Sequence, residues 1–123
     1  MTEFKQNFAH VRGDSREVTI PVVDGDGDPE DLTDGTVRWQ LRHKDDATSP
    51  VLITKTSAAA TASLVRVNGV VGELDAIRFT LLPADTLALE VAHYDHEAEF
   101  IDVLGNVATV SRGIMEIKRD IVI

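Results

Sequence analysis

Residues 36–42 read TVRWQLR, and their order decides the fold class. Val37, Trp39 and Leu41 are apolar, while Arg38, Gln40 and Arg42 between them are polar. A helix turns 100° per residue and would scatter these three apolar side chains around its cylinder. A strand turns 180° and puts all three on one face. The segment therefore reads as a strand buried on one side and wetted on the other. The same period of two recurs on either side. In 16–24, REVTIPVVD, Val18, Ile20 and Val22 alternate with Glu17, Thr19 and Pro21. In 93–100, HYDHEAEF, Tyr94, His96, Ala98 and Phe100 alternate with His93, Asp95, Glu97 and Glu99.

Further strands are expected over VLITKT (51–56), LVRV (64–67), LDAIRFTLL (74–82), VAHYDHEAEFID (91–102) and NVATVSRGIMEIK (106–118). FKQNFAHV (4–11) is one more strand or an arm. About seven or eight short strands at this spacing point to an all-β, antiparallel sandwich of one domain over 1–123. Pro21, which lacks an N–H, places its strand at a sheet edge. Gly113, inside a long strand, suggests a bulge. PADTLAL (83–89) has proline where a first helical turn tolerates it, and is expected to be one helical turn. SAAATAS (57–63) is expected as a small-residue loop or a strand edge.

Composition narrows the function classes. The chain has 123 residues, enough to bury a core without staples, and no cysteine, which excludes thiol catalysis and zinc–thiolate sites. The opening MTEFKQNFAH lacks the apolar run of a signal peptide, and no window approaches the roughly 20 apolar residues of a membrane span. Twenty-one acidic residues against 12 basic ones give a net charge of −9, which repels nucleic-acid phosphates. The basic residues are eight arginines and four lysines. An acid-rich, lysine-poor composition fits an ordinary acidic soluble domain, or equally a protein working in concentrated salt, where self-repulsion is screened. In the second case, its melting temperature should fall as KCl is diluted from molar to millimolar levels.

Three motifs invite a chemical reading. Asp24-Gly25-Asp26-Gly27-Asp28-Pro29-Glu30-Asp31 has the acidic spacing of a calcium loop. Such a loop needs glycine at its sixth position and glutamate at its twelfth. Counting from Asp24, these are Pro29 and Gly35; from Asp26, they are Asp31 and Val37. Neither register works, and a solvated connection between two strands is the simpler reading, with weak attraction for a surface cation. Arg12-Gly13-Asp14 spells an adhesion tripeptide but sits where a turn is expected. His93 and His96, three apart on a strand, point to opposite faces and cannot share a metal; His96 is expected inside as a hydrogen-bonded core residue. Trp39, Phe79, Tyr94 and Phe100 fall at inward positions. No catalytic, cofactor-binding or metal-ligating residue is expected.

Several pieces recur in a fixed order. They are Arg12-Gly13-Asp14 opening a strand, DGDGDPEDLTDG (24–35), Lys55-Thr56-Ser57 closing a strand, and Leu81-Leu82-Pro83-Ala84-Asp85-Thr86. Tyr94-Asp95-His96-Glu97, Asp102-Val103-Leu104-Gly105-Asn106 and a last strand with Gly113 follow. In this order the chain resembles, over about residues 8–121, the N-terminal domain of baseplate upper proteins of tailed bacteriophages and small virion proteins encoded beside tail genes. It departs from that pattern at Val91-Ala92-His93, where a glycine often precedes the tyrosine. The resemblance implies an immunoglobulin-like sandwich and a non-enzymatic structural role in a virion. The acidic composition adds a halophilic host.

The expected mechanism is assembly in the tail, baseplate or connector region, with a capsid decoration protein or a host-attachment module as alternatives. The expected partners are other virion proteins and copies of the same chain, without nucleic acid or membrane, in a virion made in the host cytoplasm. Residues 1–8 and 119–123 are expected at subunit interfaces, anchored by Phe4, Phe8, Ile121 and Ile123. Deleting residues 1–7 is expected to leave the domain folded but unable to enter particles.

Overall fold

A computed structural model of the protein describes residues 4–119. These residues form two β-sheets and one short helical turn. The elements, in order, are β1 (Phe4–Lys5), β2 (Phe8–Val11), β3 (Arg16–Pro21), β4 (Thr36–His43), β5 (Ile53–Thr56) and β6 (Ala62–Val65). They continue with β7 (Ala76–Leu81), α1 (Pro83–Thr86), β8 (His93–Ile101) and β9 (Val107–Lys118). The larger sheet runs β1-β9-β8-β4-β5, with β2 also on β9; the smaller runs β3-β7-β6. The all-β sandwich read from the alternation is thus the architecture found. β3, with Pro21, is an edge strand. β6 starts two residues before the expected LVRV, because Ala62 faces the core and pairs with Phe79.

The core lies between the two inner faces. Trp39, Leu41, Tyr94 and Met115 come from the larger sheet, and Ile20, Ile77 and Leu81 from the smaller, all essentially inaccessible. Trp39 crosses the gap and stacks on Phe79, ring centroids 4.4 Å apart at 28°. The outward residues of β8 are His93, Asp95, Glu97 and Glu99, as their period requires.

The first strand pairs with the last, and in parallel. Phe4 lies opposite Ser111 and Phe8 opposite Met115, the same offset on both sides of a break at Gln6-Asn7. β1 and β2 are therefore one interrupted strand. Gly113 sits at the break, but as a partner and not as a bulge. The bulge expected there falls instead at Val110, which is skipped where Ser111 pairs with Ala98 and Thr109 with Glu99. Gly113 is needed because the Gln6 carbonyl approaches so closely that an added Cβ would stand 1.8 Å from its oxygen. Around that contact Gln6 N–H donates to Arg112 O at 2.9 Å, and Ile114 N–H donates to Asn7 Oδ1 at 2.9 Å. Gly113→Ala is expected to displace residues 4–11 and cost about 1–3 kcal/mol as an overpacking change. Amide exchange of Ala9 and Val11 should accelerate far more than that of Trp39; uniform acceleration would count against a local clash.

Candidate functional site

The histidine strand β8 carries two candidate groups. His93 faces outward and His96 inward, so they do not meet. His96 is fixed between two elements. The Trp39 indole N–H, which can only donate, reaches His96 Nδ1 at 3.3 Å. Nδ1 therefore accepts, Nε2 carries the proton, and Nε2–H donates to the Gln6 carbonyl at 2.6 Å. Phe8 covers the ring, centroids 5.2 Å apart. Burial pushes the imidazole below its ordinary value, opposed by the Gln6 carbonyl and the Asp95 carboxylate. His10, whose Nε2 meets Asp14 O at 3.1 Å, is also lowered by burial. These rings are neutral clamps on the N-terminal strand.

The clamps make stability depend on pH with a definite sign. Unfolded histidine binds its proton near pH 6.5, and the folded groups bind it only at lower pH. Below about pH 6.5 the unfolded chain holds more protons, so stability falls with pH until the folded rings protonate. For each histidine the slope has a ceiling of about 1.4 kcal/mol per pH unit. Urea midpoints between pH 7.5 and 5 should show it, and His96→Gln should flatten the curve. Asp31, Asp46 and Asp102, lowered chiefly by hydrogen bonds from Thr33, Thr48 and Asn106, act in a separate window near pH 4 and below.

The outer face of β4, β8 and β9 forms a shallow groove of about 790 Å³. Its carboxylates already have partners. Arg38 pairs with Glu99 at 2.6 Å, Arg112 approaches Glu97 at 3.5 Å, and Asp95 accepts the Asp45 N–H at 2.9 Å. Each carboxylate is thus engaged by a neighbouring cation or amide. The aspartate-rich loop folds on its own first carboxylate. Asp24 Oδ1 accepts the N–H groups of Asp26 and Asp28 at 2.9 and 3.1 Å, and Val23 bridges Pro29. Among the described residues, no cluster of histidines and carboxylates is placed to hold a metal. Arg12-Gly13-Asp14 is a turn: Gly13 N–H donates to the Thr86 hydroxyl at 2.9 Å.

One buried pair gives no obvious motif. Lys55 points inward from the edge strand β5, 6% accessible, and meets Asp85 of α1 at 2.7 Å. The same Asp85 oxygen accepts the Leu82 N–H at 2.7 Å. The signal was available in the period: Lys55 is in phase with the inward Ile53.

The two ends of the sandwich differ most. Thr36 lies opposite Ile101 and Val65 opposite Ala76, so loops 22–35, 66–75 and 102–106 gather at one end, here the apex. Leu32 N–H donates to Leu74 O at 2.7 Å, joining two of them. Residues 22–35 carry six carboxylates and no cation, 66–75 one arginine and two carboxylates, and 102–106 one aspartate. That is −8 of the chain's −9. Amid this charge Val70, Val71, Val103 and Leu104 are exposed, Val71 to 85% and Leu104 to 83%. At the opposite end, the base, Leu82, Leu87 and Val91 are exposed beside Arg12, Lys118 and Arg119.

Of the four expected interface anchors, Phe8 is half-buried against its own core, with the Arg16 guanidinium 4.9 Å from its ring centre. Phe4 is described only as backbone in β1. Ile121 and Ile123 lie outside the described residues. Truncation through residue 7 would remove the Gln6 carbonyl and leave His96 Nε2–H buried without its acceptor. It would therefore weaken the fold, contrary to the expectation that residues 1–7 are dispensable for folding. No protein-family model and no curated protein matches the chain.

Proposed function

We propose that this chain is a structural protein of a tailed virus particle, working by subunit assembly without catalysis, in the tail, baseplate or connector. The observation that carries the reading is the pair of apolar ends. Large aliphatic side chains stand exposed on loops at both ends of a sandwich whose outer groove is lined chiefly by charged and polar residues. Such clusters mark surfaces that meet other protein. We also propose that the sandwich is immunoglobulin-like. Leaving the first strand aside, its strands divide as that fold's do, with β3, β7 and β6 in the places of B, E and D and β4, β8 and β9 in those of C, F and G; the first strand lies on the last instead of beside β3. A buried tryptophan on β4 supports this, as does Tyr94, whose hydroxyl donates to Glu90 O at 2.7 Å at the start of β8. Phe4, Ile121 and Ile123 are proposed as further contacts with neighbouring subunits, whereas Phe8 serves its own core.

The test is copy number per purified particle, by quantitative mass spectrometry against the major capsid protein. About three to twelve copies, the range of closed rings, supports the tail, baseplate or connector. Hundreds would move the chain to the capsid surface or along the tail tube. Absence from the particle would overturn the virion reading. A glycan-binding module is less favoured, because Trp39 and Tyr94 are both buried.

A further inference from the structure

We infer that the apex of one copy binds the base of the next, so that the chain associates head to tail. This inference rests on the proposed assembly role and names its partner: a second copy of this chain.

The argument begins with what the apex cannot meet. Apart from the buried Asp75, its loops hold eight carboxylates against Arg66, with Val70, Val71, Val103 and Leu104 exposed among them. Two apices brought together would set like charges against each other, and such juxtaposition costs several kcal/mol. A symmetric apex-to-apex dimer is thereby disfavoured. The base is different. Arg12, Lys44, Lys118 and Arg119 balance Asp14, Asp45, Asp46 and Glu90 there, and Asp85 is already neutralised by Lys55.

The cations and apolar groups of the base lie together. Arg12 N–H donates to Lys118 O at 2.9 Å, so the two residues are adjacent. A Cβ at Gly13 would touch Leu87 at 3.4 Å, which places Leu87, 66% exposed, beside that pair. Apolar loops ringed by carboxylates therefore fit an apolar patch flanked by Arg12, Lys118 and Arg119. The apolar area supplies attraction, and the charges select the orientation. A contact between two different patches is heterologous; repeated, it closes into a ring or continues as a filament.

Two variants, each altering exposed side chains, test this. Val71→Asp with Leu104→Asp blocks the apex; Leu87→Asp with Lys118→Glu blocks the base. Thermal melts establish that each is folded, and sedimentation velocity reads association. Wild type should grow in size with concentration. Each variant alone should stay monomeric. A 1:1 mixture should form a dimer and stop, because it contains one intact apex and one intact base. A wild type that stays monomeric at about 1 mM, far weaker than stable interfaces require, would overturn the inference. So would a base-blocked variant that dimerises alone, or a mixture that does not associate. Those failures leave the virion reading standing if the chain is counted in the particle. Conversely, head-to-tail association of a chain absent from particles would overturn that reading alone.

Discussion

Replacing Asp85 with alanine is expected to lower the stability of the domain by about 3 kcal/mol, the lower end of the range for breaking a buried ion pair. Asp85 is the acceptor for Lys55, whose side chain is only 6% accessible, at 2.7 Å. Without it a nearly inaccessible ammonium has no counter-ion and must either stay desolvated or drag β5 outward. The reciprocal change is milder. Lys55→Met leaves Asp85 at 21% accessibility with the Leu82 N–H still bonded. A loss of about 1 kcal/mol is expected there, as for an ordinary hydrogen bond. Urea midpoints of the two variants should separate in that order. The reverse order would mean that the pair holds α1 and not β5. An inward charge on an edge strand also discourages strand addition.

Trp39→Ala should be as damaging, about 3–5 kcal/mol, the usual cost of emptying a large core site. The indole is fully buried, bridges both sheets through Phe79 at 4.4 Å, and donates to His96. Trp39→Phe separates these roles. It keeps much of the volume but leaves His96 Nδ1 without a donor, which should cost about 1–3 kcal/mol. Far-ultraviolet circular dichroism in urea measures both. If Trp39→Phe were neutral, the indole hydrogen bond would contribute nothing net.

The sheets were legible because their signal is local. Val37-Trp39-Leu41 and Tyr94-His96-Ala98-Phe100 need only a period of two to be sorted inward, and they are inward. Asp102 and Gly105 similarly encode a turn within five residues, and Asp102 Oδ1 accepts both Leu104 N–H and Asn106 N–H. What could not be read is non-local. Nothing in the sequence near His96 names Gln6, 90 positions away, as its partner. Alternation is the same in parallel and antiparallel strands, so the parallel pairing of β2 with β9 leaves no mark. Gly113 illustrates the ambiguity: a glycine in a strand serves a bulge or a close backbone approach, and only the position of the Gln6 carbonyl decides. The charged apex lay between these cases. Its carboxylates are plain in the sequence, but their convergence requires knowing which connections share an end.

The parallel seam between first and last strands sets an order of events during folding. Phe8 cannot find Met115, 107 positions away, until the chain between them has been spanned. In an open chain, closing such a loop costs about 2 kcal/mol more entropy than closing a turn of a dozen residues like that between β4 and β5. The hairpins should therefore form early, and the N-terminal strand should dock last, after residues 115–118 have left the ribosome. Until then the Gly113 notch stands vacant, waiting for a segment made at the start of synthesis.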